Sequence, residues 1–243
     1  LNEASKFRQR WQENGKFDRY FGSECSILDI GCGSDLVVPH ARGWDRADGD
    51  AQFMAGLADE SFDLVFSAHC LEHLHDPLEG LLNWWRLVKP GGHLILIVPD
   101  EDRYEQRCWP SAFNPDHKWS FSVSKSHSWS PAHKDLADLL ALLPSRDILS
   151  LRVIEPSRPP DGDSPFDSTL VGDEACIEAI VQKVPDAGPR WSPYSPLLVC
   201  PGCKRLEVIL LGVLPDMPGV LHFKCRACGS PSQFNIPAPV NGS

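Results

Sequence analysis

No stretch of the 243-residue chain approaches the roughly 20 consecutive apolar residues that a bilayer span needs, so a membrane-spanning helix is not expected. The opening residues, LNEASKFRQRWQENGKF, are charged and lack the apolar core of a signal peptide. The expectation is a soluble, cytoplasmic protein with no membrane partner. Positive charge is also short: 23 Lys and Arg against 33 Asp and Glu give a net charge of −10. That balance disfavours generic nucleic-acid binding, which draws on clustered Lys and Arg. There is no internal repeat and no GxxxxGK[ST] phosphate cradle. Cysteine, in contrast, is plentiful. Of nine cysteines, four form two CxxC pairs near the C-terminal end, a placement that suggests metal ligation and reduced thiols rather than disulfides.

The chain is 42% hydrophobic, enough for an ordinary core. Short apolar runs predict strands at 26–30, 41–44, 62–67, 93–99, 148–155 and 175–183. Helical spacing predicts helices at 7–21 and 76–89, the latter with Asp76 as cap and Pro77 in its first turn, stopped by PGG. A further helix is expected at 130–143, with Ser130 as cap. Strands alternating with helices imply a mostly parallel α/β sheet with helices on both faces. Ligands in such sheets bind at the carboxyl ends of the strands.

The run ILDIGCGSD ends its strand in Gly31, Cys32 and Gly33. Gly-x-Gly is a weak signal by itself, and the third glycine of GxGxxG is absent. It is reinforced by Asp29 within the strand and by Asp45 at the end of the next. An acid there is placed to accept ribose hydroxyls. Asp50, in GDAQ, is a candidate partner for an adenine amino group.

Together, ILDIGCG, GWD, GDAQ, DESFDLVFSAHCLEHL and WWRLVKPGGHLILIVP resemble a class I S-adenosylmethionine-dependent methyltransferase of the type 11 group. The resemblance is strongest over 26–99 and its pattern extends to residue 183. It implies a Rossmann-like sheet and S-adenosylmethionine as cofactor, with S-adenosylhomocysteine as product. It implies that Asp29, Gly31 and Gly33 hold the methionine moiety, Asp45 the ribose and Asp50 the adenine edge, with Cys32, Ala51, Ser67 and His69 lining the pocket. One feature departs from the pattern. Only eleven residues separate Gly33 from Asp45, and they include Pro39, so a single turn or a loop is expected there instead of a helix.

HCLEH, residues 69–73, matches the H-x-x-E-H zinc-protease pattern. It follows a strand and has no evident third ligand in the sequence, so a protease site is set aside. In the methyltransferase reading this segment stands at the mouth of the pocket. Residues 100–129 follow the central strand and read as an insert or lid. Within it Asp100, Glu101, Tyr104, Asn114 and His117 are candidates for contact with a polar acceptor such as a saccharide or natural product. Acceptor deprotonation near neutral pH suits histidine. The candidates are His117, His69, His73 and His127, with Tyr104 in the same segment. His117 is the first choice because Asp116 is adjacent.

Cys200, Cys203, Cys225 and Cys228 have zinc-ribbon spacing and are expected to hold a structural Zn²⁺. The expected division is a methyltransferase domain at 1–184, a linker at 185–196 and a small β zinc ribbon at 197–243. Lys204, Arg205, His222, Lys224 and Arg226 form a modest basic patch on that module. The leading reading is methyl transfer to O or N of a small polar acceptor. The alternatives are an RNA or protein methyltransferase that uses the ribbon as substrate reader, and a non-catalytic adaptor that keeps the fold.

Overall fold

A computed structural model of the chain describes residues 3–123, 125, 127–157 and 166–184, together with the backbone of strands at 208–213, 220–225 and 231–235. The chain parts into two units, Leu1–Ala187 and Gly188–Ser243. In chain order the first unit holds α1 (Glu3–Glu13), α2 (Phe17–Tyr20), β1 (Ile27–Ile30), β2 (Arg42–Trp44), β3 (Phe62–Ala68), α3 (Pro77–Leu87) and β4 (Val88–Pro99). It continues with β5 (Ser120–Ser122), β6 (His133–Asp135), α4 (Leu136–Ala141), β7 (Arg146–Ile154) and β8 (Cys176–Lys183). Among the described residues no helix is long and apolar enough to cross a membrane.

Six strands form one sheet in the order β2-β1-β3-β4-β8-β7. The first four are parallel, whereas β8 runs antiparallel to both β4 and β7. Alternate side chains of β4 enter opposite cores. Leu94, Leu96 and Val98 join the cluster under α3 and α4, which contribute Leu81, Trp84, Trp85, Leu136 and Leu140. Ile95 and Ile97 join the cluster under α1 and α2, with Phe7, Trp11, Phe17 and Tyr20. The sheet is thus covered on both faces, which accounts for the unbroken burial of β4 from Leu94 to Pro99.

The expected helix at 76–89 forms as α3, where the Asp76 carboxylate accepts from the N–H groups of Leu78 and Glu79. Three expectations need correction. The helix at 7–21 is broken into two, because Gly15 at φ +70° closes α1 with its N–H on the Gln12 carbonyl. The helix at 130–143 begins only at Leu136. Asp135, not Ser130, caps it, and residues 133–135 pair with β5 as a parallel two-stranded ladder. The sheet is mixed at one side because residues 155–175 provide no described α-helix to carry β8 back into a parallel position. The stretch between Gly33 and Asp45 carries no helix, as its length and Pro39 require.

In the second unit β9 (Val208–Val213), β10 (Val220–Cys225) and β11 (Pro231–Asn235) form an antiparallel sheet in the order β11-β10-β9. The linker at 185–196, the ligand expectation for Cys200, Cys203, Cys225 and Cys228, and the basic patch lie outside the described side chains.

Candidate functional site

The carboxyl ends of β1, β2 and β3 open onto a cleft of about 730 Å³. Gly31, Trp44, Asp45, Asp50 and Ala51 line one part of it, and His69, Cys70, His73, Asp116 and Lys118 another.

The two glycines of the turn are there for different reasons. Gly31 has φ +75°, and a Cβ on it would stand 2.7 Å from the Cβ of Cys70. Its own N–H donates to the Trp44 carbonyl at 2.8 Å, tying β1 to β2. Gly33 also has positive φ, +53°, but nothing stands within 4 Å of an added Cβ. Its N–H donates to the Asp45 carboxylate at 2.6 Å, so Asp45 is held at the turn by backbone. The other Asp45 oxygen accepts from the Arg46 N–H. Gly49, at φ +140°, lets the following loop pack onto the Trp44 ring. The Trp44 indole nitrogen is buried on the cleft wall without a hydrogen-bond partner.

Other residues expected at the cofactor are placed less directly. Asp29 is 1% exposed and accepts from the Val37 N–H at 2.7 Å, so it holds the 33–41 loop. Burial pushes its carboxyl up to about 7, against the effect of that bond. Ser67 donates to the Ile30 carbonyl between adjacent strands and does not line the cleft. The Cys32 thiol sits beside Gly43 and also lies off the cleft wall. Asp50 lines the cleft, and one of its oxygens accepts from the Gln52 N–H. The Ala51 carbonyl is taken by the Trp84 indole. Burial pushes the Cys70 thiol up to about 12, which leaves no reactive thiolate there.

On the opposite wall, His69 ends β3 in a left-handed backbone conformation, φ +53°, its N–H on the Ile97 carbonyl. The H-x-x-E-H segment forms a short 3₁₀ turn, Leu71–His73. That turn buries Glu72 completely, and neither of its carboxylate oxygens has a hydrogen-bond partner. Around it stand His69 Nδ1 at 3.6 Å, His73 Nε2 at 3.9 Å and His117 Nε2 at 3.8 Å.

The insert supplies His117, and here the expected partner is corrected. His117 Nδ1 bonds the buried carboxylate of Glu105 at 2.7 Å, whereas neighbouring Asp116 is exposed and offers its backbone carbonyl to His73 Nδ1. Burial disfavours the charged imidazole of His117, but the Glu105 bond and the charges of Glu72 and Glu105 outweigh it and raise its pKa. The Tyr104 ring lies 5.4 Å from that of His117 and 6.2 Å from that of His69. Burial, and after it the surrounding acids, raise the pKa of its phenol.

Asp100 and Glu101, expected at the acceptor, are spent inside the insert. Asp100 accepts from the N–H groups of Asp102 and Arg103, and burial raises its pKa. Glu101 gathers Lys125, Ser128 and His133 at 2.6, 2.7 and 3.0 Å. Asn114 accepts from the Asp116 N–H and so shapes the turn that presents His117. His127 is exposed. The structure therefore brings together His69, His73, His117 and Tyr104, and adds Glu72 and Glu105. The insert's acid-rich sequence carries several carboxylates, and nothing in its spacing singles out Glu105.

Residues 39–96, from the loop after the glycine turn to the body of β4, match a family model described as a methyltransferase domain. A ubiquinone biosynthesis O-methyltransferase of Ruegeria pomeroyi is 34% identical over 110 aligned positions, covering 32% of this chain and 44% of the relative. The same enzyme of Maricaulis maris is 32% identical over 97 positions, covering 28% and 38%. The chain thus spans less than half the length of the curated relatives it matches. A solved methyltransferase of Archaeoglobus fulgidus superposes with a TM-score of 0.48 at 18% identity, over 74% of this chain and 94% of that one. The sequence match to a methyltransferase domain falls on the segment that contributes β2, β3 and most of the cleft wall.

Proposed function

We propose that the chain is an S-adenosylmethionine-dependent methyltransferase acting on an O or N atom of a small polar acceptor. The observation that carries this reading is the cleft at the strand ends, where Asp45, within the segment that matches a methyltransferase domain, is held by the glycine turn that precedes that segment.

The residues present fit that cofactor. The face of Gly33 is open, so a ligand can approach the backbone. Asp45 keeps carboxylate lone pairs beyond its two backbone bonds, enough to accept ribose hydroxyls. The unpartnered Trp44 indole N–H offers a buried donor. A volume of about 730 Å³ is in the range of pockets for ligands of this size. Gly31, Gly33, Asp45, Asp50 and Ala51 would hold the nucleoside and methionine parts, and Asp29 would act at one remove through the loop it fastens.

Bound S-adenosylmethionine would supply an electrophilic methyl group for in-line displacement. The protein's task is then to align the acceptor and exclude water. His69 and His73 stand on the cleft wall, where a histidine can take an acceptor proton, and His117 and Tyr104 back them from the buried side.

Calorimetric titration of S-adenosylhomocysteine into wild type and Asp45→Ala tests the reading. Micromolar binding that weakens at least about tenfold in the variant supports it, the scale expected for a lost charge-assisted hydrogen bond. No binding to folded wild type would sink it and favour the adaptor alternative.

A further inference from the structure

We propose that Glu72, His73 and His117 form a binding site for a divalent transition-metal cation of the zinc class, with His69 at its margin. The proposal does not rest on the methyl-transfer reading, and where His73 holds the ion through Nε2 with Nδ1 on the Asp116 carbonyl, His69 is the histidine left on the cleft wall to take an acceptor proton.

Glu72 is 0% exposed and both its oxygens lack hydrogen-bond partners, an arrangement that costs several kcal/mol by general estimates for an uncompensated buried charge. A group like this persists where something absent from the chain completes it.

The histidines around it are already oriented. His73 Nδ1 meets the Asp116 carbonyl at 3.2 Å, and His117 Nδ1 meets the Glu105 carboxylate at 2.7 Å. Carbonyl and carboxylate oxygens only accept, so Nδ1 is the protonated nitrogen of each ring. In the neutral imidazole, Nε2 then carries a lone pair. Both Nε2 atoms face Glu72, at 3.9 and 3.8 Å. Two lone pairs and a carboxylate turned toward one point repel one another unless a proton on one ring or a cation between them answers the charge.

The spacing suits a metal better than a proton. An N–H···O bond spans about 2.7–3.2 Å, shorter than any of the three histidine–Glu72 distances. Donor atoms bonded to one tetrahedral ion at about 2.0–2.2 Å stand roughly 3.4 Å apart. One ligand atom from each of Glu72, His73 and His117 already lies within 4.8 Å of the others, so modest side-chain rotation closes the set. The Glu105–His117 bond is the outer-shell carboxylate that metal-bound histidines commonly have. Two imidazoles and one carboxylate favour zinc, iron(II) or cobalt(II) over magnesium or calcium, and leave positions for water or a ligand oxygen from the cleft.

The third ligand is invisible in the sequence pattern. H-x-x-E-H offers two histidines four apart, but the turn is 3₁₀, and the fold takes its other ligand from the insert, 44 positions after His73 (117 − 73).

Cobalt(II) loading of the chelator-stripped, full-length chain tests the proposal by absorption and metal count. The C-terminal CxxC cysteines, if they bind, give intense thiolate-to-metal charge-transfer bands, whereas a histidine–carboxylate site gives only weaker visible ligand-field bands. Wild type is expected to hold one equivalent more than Glu72→Gln or His117→Gln, with the ligand-field component lost in both and retained in His127→Gln. Glu105→Gln is expected to weaken that site about 10–100-fold without removing it. Circular dichroism of each variant separates loss of the site from loss of the fold, and Glu72→Gln, nearly isosteric, guards against the latter. Equal metal content in wild type and folded Glu72→Gln and His117→Gln would overturn the proposal, even if S-adenosylhomocysteine binds normally.

Discussion

Two neighbourhoods meet at the carboxyl ends of the sheet and are built in opposite ways. The glycine turn at 31–33 is exposed, comes from one short segment, and answers its polar atoms with nearby backbone and one carboxylate. The group around Glu72 draws on the turn at 71–73 and on two parts of the insert. Its carboxylates and His117 are buried, and it leaves oxygens of Glu72 and Glu105 without hydrogen-bond partners. The difference teaches what each can tolerate. The first is limited by backbone conformation, with both glycines at positive φ. The second buries carboxylate oxygens that no hydrogen bond answers, so its energy turns on the histidines around it.

The sharpest way to break the comparison is Glu105→Ala. It removes the partner of a buried histidine and is expected to cost about 3–5 kcal/mol in denaturant unfolding. A loss under about 1 kcal/mol would show that the buried group is not held as described.

The next effect tests whether buried charge also matters under the turn. Asp29 has its carboxyl raised to about 7, from an unfolded value near 3.9. Below about pH 4 the proton is bound in both states. Between about 4 and 7 the native chain keeps a proton that the unfolded chain has released, so stability falls as pH rises, by something on the order of 4 kcal/mol. Above about 7 the contribution is flat. In Asp29→Asn the fall across that window is expected to flatten, and an unchanged pH profile would contradict the assignment.

The paired glycines sharpen the comparison within the turn itself. Gly31→Ala meets both a positive φ and Cys70, and is expected to cost about 2–3 kcal/mol. Gly33→Ala meets only the positive φ and is expected to cost about 1 kcal/mol, read in parallel melts. Equal costs would mean that the contact with Cys70 does not govern Gly31. The smallest effect on stability, a few tenths of a kcal/mol, is expected for Asp59→Asn, which breaks an exposed ion pair and leaves Arg86 on its backbone acceptors. Arg86 also donates to the carbonyls of Met54 and Leu57, and a loss near 2 kcal/mol in Asp59→Asn would contradict the small weight given to the ion pair.

Much of the frame was readable along the chain because it is local. The strands at 26–30, 62–67 and 93–99 are apolar runs between turn residues, and the Asp76–Pro77 start of α3 is a capping pattern. Asp135 was missed as a cap because Ser130–Pro131 makes an equally good start, and only pairing with β5 draws 133–135 into a strand. The partner of His117 was misread because adjacency suggested Asp116, while the turn at 114–117 points that carboxylate outward and brings Glu105 in from twelve residues away. Glu178 gave no signal either. In the middle of β8 it reads as a polar break in an apolar strand, yet it accepts from Trp11, Arg10 and Arg152 and fastens α1 to the sheet.

The sequence by itself determined the strand-and-helix alternation, the glycine turn and the carboxylate at the end of β2, because these depend on residues within a few positions of one another. Only the tertiary structure decided that β8 runs antiparallel, that Gly31 must lack a side chain on account of Cys70, and that Glu72 lies buried among His69, His73 and His117. Most of those contacts join segments tens of residues apart, and burial, which gives a carboxylate its energetic weight, belongs to the folded chain and not to the order of its residues.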